Sequence, residues 1–211
     1  AAGAVAAVVA ETGRRAPAVL RHRAAARVLV TGPASAATRL TALLAPEGVA
    51  VHTAVPDACD AADVVVVLAQ GEADREVLDR MARRDVPHLL VAVVDGHVRV
   101  GPFVVPGRTA CLRCVDAHHL DRDPRHPVLI AQYTRLTGRL RSDGVPDAIP
   151  STRWEIALAT AADDVLRFLD ERTPTTWSAT LSLEGDKGPV RTPWPRHPRC
   201  GCSWGEGLAV G

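Results

Sequence analysis

Residues 62–69 read ADVVVVLA, an unbroken apolar run of strand length, and their reading decides the fold. A strand with one wet face alternates. Four consecutive valines followed by Leu-Ala offer no polar face to water, so the run belongs inside a sheet covered on both sides, as parallel sheets are. Upstream, 27–31 (RVLVT) is a second β-branched apolar run, ended by Gly32-Pro33. Residues 34–45 place Leu40, Leu43 and Leu44 on one side of a helix closed by Gly48, and 49–55 alternates like a strand. Downstream, 73–84 is a charged helix with Val77, Leu78 and Met81 inward, and 87–94 is another buried strand. Asp95-Gly96 then turns the chain into a strand over 98–105, a hairpin signal. The order predicts an α/β class: a Rossmann-like, doubly wound sheet with an antiparallel addition.

The chain has 211 residues, enough for one domain or one domain with a small appendage. Hydrophobic residues make up 47% but aromatics only 3%, so Ala, Val and Leu must fill the core. Twenty-five basic against 24 acidic residues leave a net charge of +1, which gives no bulk attraction to nucleic acid or anionic membrane. No apolar run reaches membrane-span length. The opening AAGAVAAVVA has no basic segment before it and is followed by Glu11, Arg14 and Arg15, so no signal peptide is expected and a cytoplasmic location is.

Residues 1–26 are rich in Ala and Arg, with breaks expected at Gly13 and Pro17, and read as two short helical pieces. They form an N-terminal helical remnant beside a main α/β domain over 27–211. After Cys114, a helix is expected over 125–139 and a loop over 142–150. Residues 152–171 form the clearest helix. Thr152 and Glu155 have capping-box spacing, and Trp154, Leu158, Ala161, Val165 and Phe168 recur at three- and four-residue intervals. Short strands are expected at 176–183 and 189–192.

The chemistry lies in the cysteines. Cys111-Leu-Arg-Cys114 has the spacing at which two thiolates converge on one ion, and Gly201 lets Cys200-Gly-Cys202 do the same within a tighter turn. Two close pairs and a lone Cys59, without a leader, favour metal over disulfides. A redox C-x-x-C would leave the second pair unexplained. The expectation is one structural zinc on Cys111, Cys114, Cys200 and Cys202, with no open position for catalysis. His118 and His197 read as surface or supporting histidines, and Cys59 as a core or surface thiol. Arg108, Arg113, Arg122 and Arg125 read as a solvated basic patch flanking the thiolates.

The segments HVRVGPFVVPGRTACLRCVD (97–116) and WPRHPRCGC (194–202), in this order, resemble the ThiF/MoeB-like, ubiquitin-activating-type adenylyltransferase superfamily. Within it they look most like the ThiF-like cyclodehydratase proteins of thiazole/oxazole-modified (TOMM) peptide biosynthesis. The resemblance covers about 27–204. It implies a Rossmann-like domain that binds ATP, adenylates a peptide carboxylate and dimerises through the sheet. The residues subtract from that. The glycine-rich turn reads VTGPASAATRL (30–40), with only Gly32 left, Pro33 lacking an N–H, and Ala36 and Ala37 where a phosphate needs open backbone. Asp57 lies past Pro56 and reads as a loop carboxylate. The superfamily's D-N-x-x-T-R segment aligns with 70–75, where Gln70 replaces the magnesium-binding Asp and only Arg75 matches. Arg75 also has the spacing of a helical pair with Asp79.

No catalytic or nucleotide-binding residue is therefore assigned, and no ATP is expected. The resemblance implies a non-catalytic, zinc-stabilised partner in this class of ribosomal peptide (RiPP) maturation, presenting precursor peptide to a YcaO-type cyclodehydratase. In such systems an N-terminal winged-helix module binds the peptide. Residues 1–26 are too short for it, which implies a fragment or a reduced homologue. An active adenylyltransferase and a structural, homodimeric module stay open as alternatives. Neither nucleic acid nor membrane is expected as a partner.

Overall fold

The computed structural model of the chain describes residues 2–53, 59, 62–94, 96–134, 140, 142–146, 149–185 and 188–203. Seven strands form one sheet in the order β2-β1-β3-β4-β5-β6-β7. They are β1 (Val28–Thr31), β2 (Val51–Thr53), β3 (Val64–Gln70), β4 (His88–Val94), β5 (His97–Val104), β6 (Ala179–Leu183) and β7 (Val190–Pro193). The first four run parallel, with Val30 opposite both Thr53 and Val66, and Leu68 opposite Val91. The last three add antiparallel. Register pairs Val94 with His97, so the β4–β5 hairpin forms where Asp95-Gly96 was expected to turn; Gly96 has a φ of 73°, and Asp95 itself lies outside the described residues.

Every parallel strand in the centre of the sheet is sorted by its two-residue period into two cores. Val28, Val30, Val64, Val66, Leu68, Leu89 and Val91 face α3 (Ala34–Leu44) and α7 (Ser151–Leu169), where Leu40, Leu44, Trp154, Leu158 and Val165 are buried. Leu29, Val65, Val67, Leu90 and Ala92 face the other way, against Leu78 and Met81 of α4 (Arg75–Arg83) and Leu112 and Val115 of α5 (Leu112–Arg122). This is the doubly wound arrangement read from the valine run: a strand with helices on both faces has no polar side to keep. Trp154, the largest side chain fully buried, lies in the first core.

Before the sheet, α1 (Ala2–Thr12) and α2 (Ala16–Ala25) are separated at Gly13, whose φ of 55° suits glycine. Pro17 does not break the chain as expected. It lies in the first turn of α2, where no intrahelical N–H is missed. Buried Arg23 of α2 holds the Asp170 carboxylate with two bonds of 2.7 and 2.8 Å, which fixes α2 to the end of α7.

Three other expectations are corrected. The capping box is absent: α7 begins at Ser151 behind Pro150 with no side-chain cap, and Glu155 is drawn instead into an ion pair with Arg39 of α3. Arg75 does not pair with Asp79; it turns inward to Glu72 and Asp116, and Asp79 pairs with Arg113. Helix α5 was not anticipated, because its apolar and polar residues do not segregate to opposite faces. The described part of the 125–139 helix is α6 (His126–Tyr133), and 135–139 lie outside the described residues. No described helix is long and apolar enough to cross a membrane.

Candidate metal centre

Strand β5 leaves the sheet through a turn and enters α5 at Cys111, which is the N-cap residue with extended backbone, φ −88° and ψ 174°. Cys114 closes the first turn, its N–H donating to the Cys111 carbonyl at 3.0 Å. The C-x-x-C thus straddles a helix start, where free backbone amides favour negative charge on sulfur. From the other end of the sheet, β7 runs into Trp194, whose N–H donates to Ser178 O at 2.7 Å. The following tail reaches Cys200, whose N–H donates to His197 O at 2.9 Å.

The four sulfurs meet. Cys111 and Cys114 are 3.8 Å apart, Cys111 and Cys200 3.6 Å, and Cys114 and Cys202 3.4 Å. All four lie within 4.8 Å of one another and could hold a metal ion. Four sulfurs around a tetrahedral zinc at about 2.3 Å stand about 3.8 Å from each other, so the observed separations fit that polyhedron. Cys111, Cys114 and Cys200 are buried and Cys202 is half-buried. The hydrogen bond to Cys114 raises the Cys111 thiol well above its usual range, Cys202 adds to this, and burial adds further. Burial pushes Cys200 up to about 12. Four thiolates so close repel each other unless a cation shares them. A metal ion shared among them would hold the sulfurs as thiolates.

The supports are polar and come from α5. Asp121 accepts from His197 Nε2 at 3.0 Å and pairs with Arg199, so one carboxylate holds both sides of the tail. His118 Nε2 meets Pro195 O at 2.9 Å. The Trp194 ring packs against His119, centroids 4.9 Å apart, under the Arg122 guanidinium, while its indole N–H donates to Thr180 at 2.9 Å. His197 is buried and steadies the loop that presents Cys200; Asp121 and Trp194 were missed, and only α5, itself unread, brings Asp121 there. Cys59 is buried in the same apolar layer, outside the four. The four arginines of the basic patch are all exposed. Arg113 pairs with Asp79 and Arg125 with Asp123, and Arg108 and Arg122 lie over Trp177 and Trp194.

At the opposite, carboxyl ends of the parallel strands, where doubly wound folds bind ligands, the expected nucleotide residues have other tasks. A Cβ on Gly32 would stand 2.2 Å from Leu68 O, so this glycine lets β1 pass beside β3. Pro33 caps α3, buried Ala36 and Ala37 pack in the core, and Ser35 donates to Gly144 O at 3.3 Å, which brings the 142–146 loop onto the start of α3. Gln70 ends β3 with its buried amide nitrogen lacking a partner among the described residues. Asp57 lies outside the described residues.

No protein-family model matches the chain, and no curated protein matches it in sequence. Solved structures do match in fold. E. coli MccB superposes with a TM-score of 0.65 at 16% identity, over 90% of this chain and 68% of MccB. E. coli MccB with AMPCPP and MccA gives 0.68 at 16% identity, over 90% of this chain and 70% of that one. The heterocyclase TruD gives 0.68 at 22% identity over 94% of this chain, which spans only 30% of TruD. By its fold, then, the chain is a seven-stranded, doubly wound α/β domain of the kind found in MccB and in one part of the heterocyclase TruD.

Proposed function

We propose that the chain is a non-catalytic ThiF-like protein of thiazole/oxazole-modified peptide biosynthesis, clasped by one structural zinc on Cys111, Cys114, Cys200 and Cys202, which presents a precursor peptide to a YcaO-type cyclodehydratase. The observation that carries the silent half of this reading is Arg75. Its guanidinium is buried and bonded to Glu72 at 2.6 Å and to both oxygens of Asp116 at 2.9 and 3.0 Å. Four of its five N–H donors are spent on Glu72, the Ala73 carbonyl and Asp116, and neutral Gln70 stands where a magnesium-binding carboxylate is needed. The peptide half is supported by likeness. One of the similar MccB structures contains MccA, and a similar heterocyclase structure contains substrate and cofactor.

Zinc supplies structure, not reactivity: four thiolates leave no open coordination position. A homodimer through the sheet domain belongs to the same proposal, checked by light scattering of the purified protein. The deciding experiment reconstitutes heterocycle formation with the partner YcaO enzyme and precursor, with and without this chain. Stimulation of the reaction by a chain that itself neither binds ATP–magnesium nor exchanges pyrophosphate is the expected result. Peptide-dependent pyrophosphate exchange by the chain alone would instead make it an adenylyltransferase.

A further inference from the structure

Helix α6 reads HPVLIAQY, and none of its residues is buried. Val128 is 60% and Leu129 42% exposed. A short helix this apolar is stabilised mainly by covering a face, not by its own propensity. It packs beside α5, where the His126 ring stacks on His119 with centroids 4.8 Å apart. Between α4, α5 and α6 lies a cleft of about 700 Å³. Ala117 and Leu120 of α5 and Ile130 and Ala131 of α6 line it with carbon, and Leu120 is 36% exposed. Asp74 and Glu76, at the amino end of α4, are exposed on its wall.

That wall carries a net negative charge. Arg75 and Arg99 are two cations set against two carboxylates, Glu72 and Asp116. Arg113, the other arginine on the wall, is matched by Asp79. Asp74 and Glu76 are left over. Asp74 Oδ1 accepts the Glu76 N–H at 2.8 Å, a neutral donor that leaves its charge in place. The Glu76 carboxylate has no hydrogen-bond or ion-pair partner among the described residues. The amino end of α4 offsets roughly half a unit charge. His126 Nε2, 3.5 Å from Asp116, would add one more when protonated, so the wall stays negative in either state.

We propose that this cleft docks a peptide segment of a partner in which a lysine or arginine stands next to a large apolar side chain, the cation on Asp74 and Glu76 and the apolar group against Leu120 and Ile130. The apolar surface runs on over Val128 and Leu129, farther than a small cation would cover, so the occupant is a chain of residues. The inference rests on the peptide-presenting reading only in taking the partner to be a peptide.

The test is fluorescence anisotropy of the full chain at low ionic strength with two labelled peptides, Leu-Lys-Leu-Lys-Leu and Leu-Glu-Leu-Glu-Leu. A net charge of +1 gives the chain no bulk preference for the lysine peptide. That peptide is nevertheless expected to bind at least about ten-fold more tightly than its glutamate counterpart. Glu76→Lys should remove the preference and leave the thermal midpoint almost unchanged, because Glu76 is exposed. Glu184→Lys, the same change of charge at an exposed site outside the cleft, should keep the preference. Leu120→Ser should weaken binding of the lysine peptide about five-fold. Equal binding of the two peptides, no binding of the lysine peptide, a preference that survives Glu76→Lys or is lost equally in Glu184→Lys, or unchanged binding by Leu120→Ser overturns the proposal. Neither ATP nor a YcaO enzyme enters this assay, so its failure is distinct from failure of the scaffold reading.

Discussion

The sulfurs of Cys111 and Cys200 lie 3.6 Å apart although 89 residues separate them in sequence. A metal bridging them would make everything from α5 through β7 one closed loop, and Trp194 and Cys200 already belong to the second core. Closing a loop of this length removes much of the unfolded chain's freedom. Stripping the metal with a chelator should lower the thermal midpoint by more than about 10 °C, since each kcal/mol is worth about 2–4 °C in a chain of this size and a structural zinc is worth several kcal/mol. Readdition of zinc should restore it. Hydrogen exchange should locate the loosened amides at the start of α5 and in residues 194–202.

Arg75→Ala should destabilise the fold, not merely alter a ligand site. It leaves buried Glu72 and half-buried Asp116 without their shared cation; among the described residues Arg99 stays 3.3 Å from Glu72, and His126 Nε2 stays 3.5 Å from Asp116. Breaking such a buried pair costs about 3–5 kcal/mol, and the remaining arginine puts this case near the lower end. Urea unfolding measures it. A variant as stable as the parent would mean that Arg75 is poised for a ligand instead.

Gly32→Ala should cost about 3 kcal/mol or more. The backbone there has φ 125°, and the added methyl would overlap the Leu68 carbonyl at 2.2 Å. Since this glycine serves strand packing, a thermal scan without any nucleotide should already show the loss.

His88 supplies the pH dependence. It is fully buried at the start of β4 with Nδ1 2.9 Å from Val86 O, and burial lowers its pKa to about 4. The unfolded state therefore binds the proton first. Stability from this residue is complete above about pH 6.5 and falls as pH drops toward 4, by roughly 3 kcal/mol across that window. His88→Asn, which keeps an N–H donor, should flatten the difference between thermal midpoints at pH 7 and pH 5 relative to the parent.

What was legible in the sequence follows from period and spacing. The valine run of β3 forced a sheet covered on both faces, and the two cysteine pairs announced a shared cluster before any geometry was known. The missing pieces are those whose signal is tertiary. Asp121 is an ordinary helix-surface carboxylate until the tail brings His197 and Arg199 to it. Glu155 has ideal capping-box spacing from Thr152, yet the charge of Arg39 across the helix interface outcompetes the backbone amide it was expected to accept from. Arg75 had a local partner in Asp79, but its guanidinium is taken by buried Glu72 and half-buried Asp116, and Asp79 is taken by Arg113 from α5, a helix the sequence reading lacked.

The most direct measurement is metal content of the purified chain beside its four single Cys→Ser variants, joined to the absorption spectrum after cobalt replaces the native ion. The account predicts one zinc per chain, intense visible bands of a tetrahedral tetrathiolate cobalt site, and loss or marked weakening of metal binding in each variant at Cys111, Cys114, Cys200 and Cys202. A metal-free protein that is equally stable with or without added zinc, or a variant at any of these positions that keeps the full tetrathiolate spectrum, would contradict it.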